Sequence, residues 1–185
     1  TAFTALGSGT TTWCDGAHAS GSEDVFARVY RPRVRLVLVG SDPVALALIE
    51  FAARLGIEVR LVRPNGPTEA PRGLTADAYD ARALPAALAA IRLDAFTAVY
   101  ALSHEAAIDL AVLEWALRSP AFCVGALGSR NKIPARLATL RERGIDEAAL
   151  ERLHLPAGLA IGGGSAMEIA LSIIAQVLAQ RPAST

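Results

Sequence analysis

The stretch Val124-Gly125-Ala126-Leu127-Gly128-Ser129-Arg130-Asn131-Lys132 decides the fold of this chain. It closes an apolar run, Ala121 to Leu127, and opens an amphipathic one with Ile133, Leu137 and Leu140 at helical spacing. That pattern predicts strand, tight turn, helix. A helix entered this way points unpaired backbone N–H groups beyond the strand end, and its dipole favours an anion there. Ser129 is placed to cap the helix. Arg130 and Lys132 add cationic donors to the first turn, where the dipole disfavours positive charge. Lys132 is also the sole lysine of the chain. Two readings fit these residues: an anion cradle, or an ordinary capped helix with solvated charges.

Composition narrows the setting. Of the 185 residues, 52% are hydrophobic, with alanine prominent among them, enough for one domain with a sizeable core. The formal charge is +0, so no net field draws in nucleic acid or an anionic membrane. No apolar run reaches the ~20 residues of a membrane helix, and no signal-peptide pattern stands at the start. The chain reads as soluble and cytoplasmic. Cys14 and Cys123 lie too far apart to make a metal-ligand pair, and Cys123 sits in an apolar strand as a buried thiol. The three histidines are too dispersed for a zinc site, so no metal centre is expected.

Outward from the central stretch, strands and helices alternate. Thr1 to Arg31 reads as an N-terminal arm or remnant, with a short strand at Thr10–Trp13 and a helical turn at Glu23–Val29. Pro32 marks a boundary. Val34–Val39 is an apolar strand, Pro43 opens a helix bearing Val44, Leu48, Phe51 and Leu55 on one face, and Ile57–Val62 is a second strand. A short strand near Leu74–Ala76, a helix at Leu84–Ile91, a strand at Phe96–Leu102 and a helix at Glu105–Arg118 follow, with Glu114 and Arg118 spaced to pair. Asp146 starts a short helix, and Ser165-Ala166-Met167-Glu168 has the capping-box pattern of the last one. The narrow polar stripe of that helix (Glu168, Ser172, Gln176, Gln180) predicts burial of the rest. Leu137 and Ile173 are expected in the core.

These elements predict an α/β fold: a Rossmann-like, doubly wound, mostly parallel sheet with helices on both faces, spanning residues 32–182, followed by a tail at 183–185. Val34–Val39 is expected at its centre with Ile57–Val62 beside it. Ligands of such folds bind beyond the carboxyl ends of the strands. Gly40, Ser103-His104 and Gly128-Ser129 all lie just past strand ends and converge on one rim. The first turn, Gly40-Ser41-Asp42-Pro43, departs from a dinucleotide fingerprint: Asp42 puts a carboxylate where a pyrophosphate would lie, and Arg63 stands where an acid would hold a ribose. NAD(P) binding is therefore not expected, although Arg63 suits a 2′-phosphate. Ser103 reads either as a helix cap beside a surface histidine or as part of a ligand site with His104. His154 reads as a loop histidine bonded to backbone, Gly162-Gly163-Gly164 as a hinge or plain loop, and His18 as a residue of the arm.

Four stretches in this order resemble the XdhC/CoxI family, accessory factors of xanthine dehydrogenase and related molybdenum hydroxylases. They are Gly125 to Lys132, Arg141 to Ile145, His154 to Gly162 and Glu168 to Ile173. The likeness covers roughly Pro32 to Ala179. It departs from the family at Gly40-Ser41-Asp42-Pro43, where Gly-x-Gly-His is usual, and at His104-Glu105, where histidine-aspartate is usual. Ala160 replaces an aspartate, and Ser165-Ala166 a threonine-proline. The resemblance implies a Rossmann-like domain that binds molybdenum cofactor (molybdopterin) as cargo, protects it and helps deliver its sulfurated form, as a chaperone and not a catalyst. It implies an apo-molybdenum hydroxylase and a cysteine desulfurase as partners, and it allows a homodimer. The cofactor-binding residues expected are Gly40, Ser41, Asp42, Ser103, His104, Gly128, Ser129, Arg130 and Lys132. The alternatives are an NAD(P)-binding oxidoreductase or nucleotide sensor on the same scaffold, and an interaction subunit without a ligand.

Overall fold

The computed structural model describes residues 33–41 and 43–182, together with the strands at 12–14 and 25–27. Asp42, His18, the side chain of Cys14 and the tail at 183–185 lie outside the described residues. Two compact units are present. In the first, β1 (Thr12–Cys14) pairs antiparallel with β2 (Val25–Ala27). Of the helical turn expected over Glu23–Val29, the described residues Val25–Ala27 form a strand; Val25 and Phe26 are β-formers, and strand pairing prevails over a weak helical period.

The second unit, Arg33–Arg181, holds a six-stranded sheet of order β5-β4-β3-β6-β7-β8, parallel throughout. Its strands are β3 (Arg35–Gly40), β4 (Glu58–Val62), β5 (Tyr79–Asp80), β6 (Thr97–Leu102), β7 (Cys123–Ala126) and β8 (Leu153–His154). Leu36–Val39 and Ala98–Leu102 are wholly buried, which their continuous apolar sequences require of strands covered on both faces. Alternate residues feed two cores. Leu36 and Leu38 pack with α1 (Pro43–Leu55) and α6 (Ala166–Gln180) on one face. Val37 and Val39 pack on the other with α2 (Leu84–Ala89), α3 (Ala106–Leu117) and residues of α4 (Ile133–Glu142) and α5 (Glu147–Leu150). The chain runs from β3 to β4 and β5 on one side, then crosses to β6 on the other. The topological switch point therefore lies between β3 and β6.

Local differences from the sequence reading have physical causes. The strand expected at Leu74–Ala76 comes later, at Tyr79–Asp80, after a 3-10 turn at Ala76–Ala78. Tyr79 and Asp80 are buried there; the Tyr79 hydroxyl donates to Pro67 O at 2.6 Å and Arg82 holds the Asp80 carboxylate. His154 stands in β8, in register with Gly125, and not in a loop. The polar stripe of α6 is split: Ser172 and Gln176 turn inward, while Met167 and Leu171 are exposed. Inward placement works because both polar groups are bonded, Ser172 Oγ to Ile169 O and Gln176 as described below. The α6 capping box is present, with Ser165 Oγ accepting from Glu168 N and Glu168 Oε2 from Ser165 N. The spaced pair Glu114–Arg118 closes at 3.2 Å. Arg152 on the far side of the sheet donates to the carbonyls of Leu117, Ser119 and Ala121, closing the C-terminus of α3.

Ile173 is fully buried, but Leu137 only partly, because α4 meets the sheet chiefly through Leu140. Ile173→Ala is expected to destabilise the fold by about 2–5 kcal/mol, and Leu137→Ala by less than about 2 kcal/mol. Urea midpoints of the two variants, compared at equal slope, check the ordering.

Candidate site at the carboxyl edge of the sheet

The residues singled out in the sequence stand after three neighbouring strands. Gly40 ends β3, Ser103-His104 follow β6, and Gly128 to Lys132 follow β7. With a strand spacing of ~4.8 Å, the β3 and β7 ends lie roughly 10 Å apart. Gly40 and Ser103-His104 occupy the switch point, and Gly128–Lys132 flank it.

Gly40 is there for want of a side chain. Its φ is +139°, and it faces Leu102 across the β3–β6 register, where a Cβ would collide with the Leu102 carbonyl. The two strand ends can then close on each other. His104 takes φ +62°, the left-handed region that non-glycine residues rarely enter. Its imidazole is carried on an exposed, sharply turned loop.

That loop is held from below by a buried acid. Asp109, on the inner face of α3, is 2% exposed. Its Oδ1 accepts from Ser103 Oγ at 2.7 Å and from Ser103 N at 3.3 Å. Its Oδ2 accepts from Arg136 Nη2 at 3.3 Å. Arg136, on α4, also donates through Nη1 to Leu127 O at 3.3 Å. One carboxylate and one guanidinium thus tie the β6 loop to the β7 loop. Ser103 does not cap α3; the N-cap is Glu105, whose N–H donates to Ser103 Oγ at 3.1 Å. Neither Asp109 nor Arg136 was among the residues expected at the site. The signal was present in α3, where Asp109 and Glu114 are the only charges in an otherwise apolar helix.

The turn after β7 differs from expectation in one respect. Gly128 has φ +153°, and Ser129 Oγ accepts from Asn131 N at 3.3 Å, but the cap serves a 3-10 turn at Arg130–Lys132. The α-helix begins one turn later, at Ile133, with Pro134 in its first turn. Asn131 N and Lys132 N are both bonded to Ser129, so these amides are not turned outward. The positive character of the turn therefore comes mainly from the side chains of Arg130 and Lys132, which are exposed and not in any ion pair among the described residues. Beneath them lies a recess of about 10 Å³ lined by Gly128, Ser129, Lys132, Arg136, Leu155 and Pro156. It has room for about one water, so a larger anion would sit on the rim above it.

The loop after β8 forms the adjoining wall. Gly158 N donates to Gln176 Oε1 at 3.0 Å, and the Tyr100 hydroxyl donates to the same oxygen at 2.9 Å. Cys123 Sγ lies 3.2 Å from that hydroxyl. Burial raises the Tyr100 pKa and pushes the Cys123 thiol up to about 11, so both stay protonated at neutral pH. The triad is a structural strut from mid-sheet to the loop. His154, half-buried at the start of this wall, has its pKa lowered by desolvation.

No group of three or more His, Cys, Asp or Glu among the described residues is arranged to hold a metal ion. No helix among them is long and apolar enough to cross a membrane.

Two outcomes follow from this geometry. Asp109→Ala is expected to destabilise the protein by about 3–5 kcal/mol, because it leaves Arg136 charged and unpaired in a largely buried position; chemical denaturation measures it. The lowered His154 pKa means that the folded state prefers the neutral ring. Its contribution is present above the ordinary histidine pKa and is lost as pH falls through that value toward the folded one. Stability measured between pH 7.5 and pH 5 is therefore expected to fall less steeply in His154→Gln than in the native chain.

Comparison with known proteins gives a consistent kinship. The XdhC Rossmann domain family matches residues 36–177. The chain is 33% identical to the Escherichia coli (strain K12) protein YqeB over 169 residues, 88% of this chain and 30% of that protein. It is 30% identical over 152 residues to the molybdenum cofactor insertion chaperone PaoD of the same strain, 82% of this chain and 42% of that one. The chain thus spans less than half the length of these curated relatives. Among solved structures it resembles a protein described as a xanthine dehydrogenase from Bacillus halodurans, at a TM-score of 0.60 and 24% identity, over 80% of this chain and 43% of the other. That likeness bears on the fold.

Proposed function

The chain belongs to the XdhC family through its Rossmann domain, and from that premise we propose that it binds molybdenum cofactor as cargo in the maturation of a molybdenum hydroxylase. The observation that carries this reading is the exposed cationic pair Arg130 and Lys132 on the carboxyl rim, beside the switch point. The kinship with a molybdenum cofactor insertion chaperone supports the choice of cargo.

In this reading the phosphate of molybdopterin sits on the rim above Gly128 and Ser129. Phosphate carries close to two negative charges at neutral pH and several strong acceptors. Arg130 offers a planar fork of donors and Lys132 a mobile point charge. Gly40 and Ser41 leave the β3 end open to the pterin, and Ser103 and His104 line its far side. The Asp109–Arg136 pair positions both loops without touching the cargo. The protein itself performs no bond-making step; it holds the cofactor for an apo-hydroxylase partner. A cysteine desulfurase that supplies sulfur to the held cofactor, and pairing of two copies of the chain, complete the proposal.

The test is the double substitution Arg130→Ala, Lys132→Ala. Each charge-assisted contact to an ionised group is worth about 1.5–3 kcal/mol, so molybdopterin affinity is expected to fall by roughly two to four orders of magnitude. Thermal stability without ligand should be retained, because both side chains are exposed. Fluorescence titration with molybdopterin, run beside NADPH, reads the result. Unchanged molybdopterin affinity in the variant, or tighter binding of NADPH than of molybdopterin by the native chain, defeats the assignment.

A further inference from the structure

A groove of the Arg33–Arg181 unit opens at the opposite edge of the sheet, where the strands begin. Its volume is about 540 Å³, within the range of small-molecule sites, and its lining includes Arg35, Glu58, Arg60, Thr75, Asp77 and Arg92. Arg35 opens β3, Glu58 opens β4, and Arg92 follows the end of α2. Because β5 pairs only with Leu61 and Val62, no strand among the described residues lies outside Glu58–Arg60, and this gap at the sheet edge forms the groove.

Its three guanidinium groups are held differently. Arg35 is anchored, with Nη1 donating to Arg92 O at 3.1 Å and standing 3.7 Å from Asp94. Arg60 is poorly satisfied. Its Nη2 is 3.7 Å from Asp80 Oδ2, an oxygen that Arg82 Nη2 already takes at 2.6 Å, and its buried Nε has no hydrogen-bond partner. The side chain is 30% exposed, so the guanidinium keeps donors to spare at the groove wall. Arg92 is exposed, and among the described residues its guanidinium pairs with no carboxylate. Of the two acids in the lining, Asp77 is engaged by the Thr75 hydroxyl, which lowers its pKa, while Glu58 stands at the strand start without an ion pair among the described residues.

We propose that this groove is a second binding site, for a phosphorylated small molecule whose body carries hydroxyl or amino donors. Arg60 and Arg92 take the phosphate, since two forked donor sets suit its several oxygens. Glu58 accepts hydrogen bonds from the body, and the apolar side of Ile91 and Leu74 gives that body a floor. The free carboxylate selects against a second phosphate and against a purely anionic ligand. The site is independent of the carboxyl rim, so its occupant and the cargo proposed there can bind together.

The test uses the full chain with three probes: inorganic phosphate, glucose 6-phosphate and AMP. Titration by calorimetry is combined with amide chemical-shift mapping. At least one ester is expected to bind more tightly than inorganic phosphate, with shifts at Gly73, Thr75 and Ile91 and not at Gly128–Lys132. Arg92→Gln, an exposed position that leaves the fold intact, should weaken that binding by about ten-fold or more, the loss of one charge-assisted contact. Arg60→Gln should do the same, and Arg130→Ala with Lys132→Ala should not. Absence of saturable binding by every probe, shifts confined to the carboxyl rim, esters no tighter than inorganic phosphate, or affinity unchanged in Arg92→Gln would each overturn the proposal.

Discussion

Burial of β3 and β6 on both faces is the constraint from which the rest of the domain follows. A strand with no solvent face must be apolar at every position and must have helices above and below it. Leu36–Val39 and Ala98–Leu102 meet that condition. A connection between parallel neighbours then has to leave the sheet and cross a face before returning, as the chain does through α1 between β3 and β4 and through α3 between β6 and β7. Chemistry-bearing residues are pushed to the two ends of the strands, because nowhere along them can a charge remain hydrated. That is why the charged recesses described above lie at the two edges of the sheet.

At the carboxyl edge, a single buried carboxylate organises the polar groups. An isolated ionised group as closed off as Asp109 would be strongly destabilising. Here it accepts from two groups of Ser103 and from Arg136, which itself reaches Leu127 O. Ser103 belongs to the loop after β6, and Arg136, on α4, reaches the loop after β7 through Leu127 O. The ion pair therefore matters less for the stability it adds than for the register it imposes between those loops. The Tyr100–Gln176–Gly158 strut does the same for the loop after β8, using neutral groups.

The fold was legible because periodicity and burial coincide: runs such as Val34–Val39 and Phe96–Leu102 admit no other role, and Pro43, Gly56 and Ser165 punctuate the helices as their chemistry dictates. The switch point followed from topology alone. What the sequence did not reveal depends on contacts distant along the chain. Asp109 and Arg136 lie 27 residues apart, and neither carries a local motif. Gln176 looked like part of a solvated stripe, since nothing near it in sequence announces Tyr100, 76 residues away. The 3-10 turn before α4 was concealed because Ser129 caps either kind of helix equally well. The strand at Val25–Ala27 was hidden by a segment too polar to show a period.

The exposed position of Lys132 has a practical consequence. It is the only lysine among the 185 residues, and the cations buried or braced elsewhere are all arginines. Acylating reagents modify amines and spare guanidinium groups, so they have one side-chain target in this chain, and it stands on the carboxyl rim. A fluorophore or affinity tag on that side chain would report on the rim, with no engineered residue needed to direct it. Whatever covers the rim should in turn shield that amine from the reagent.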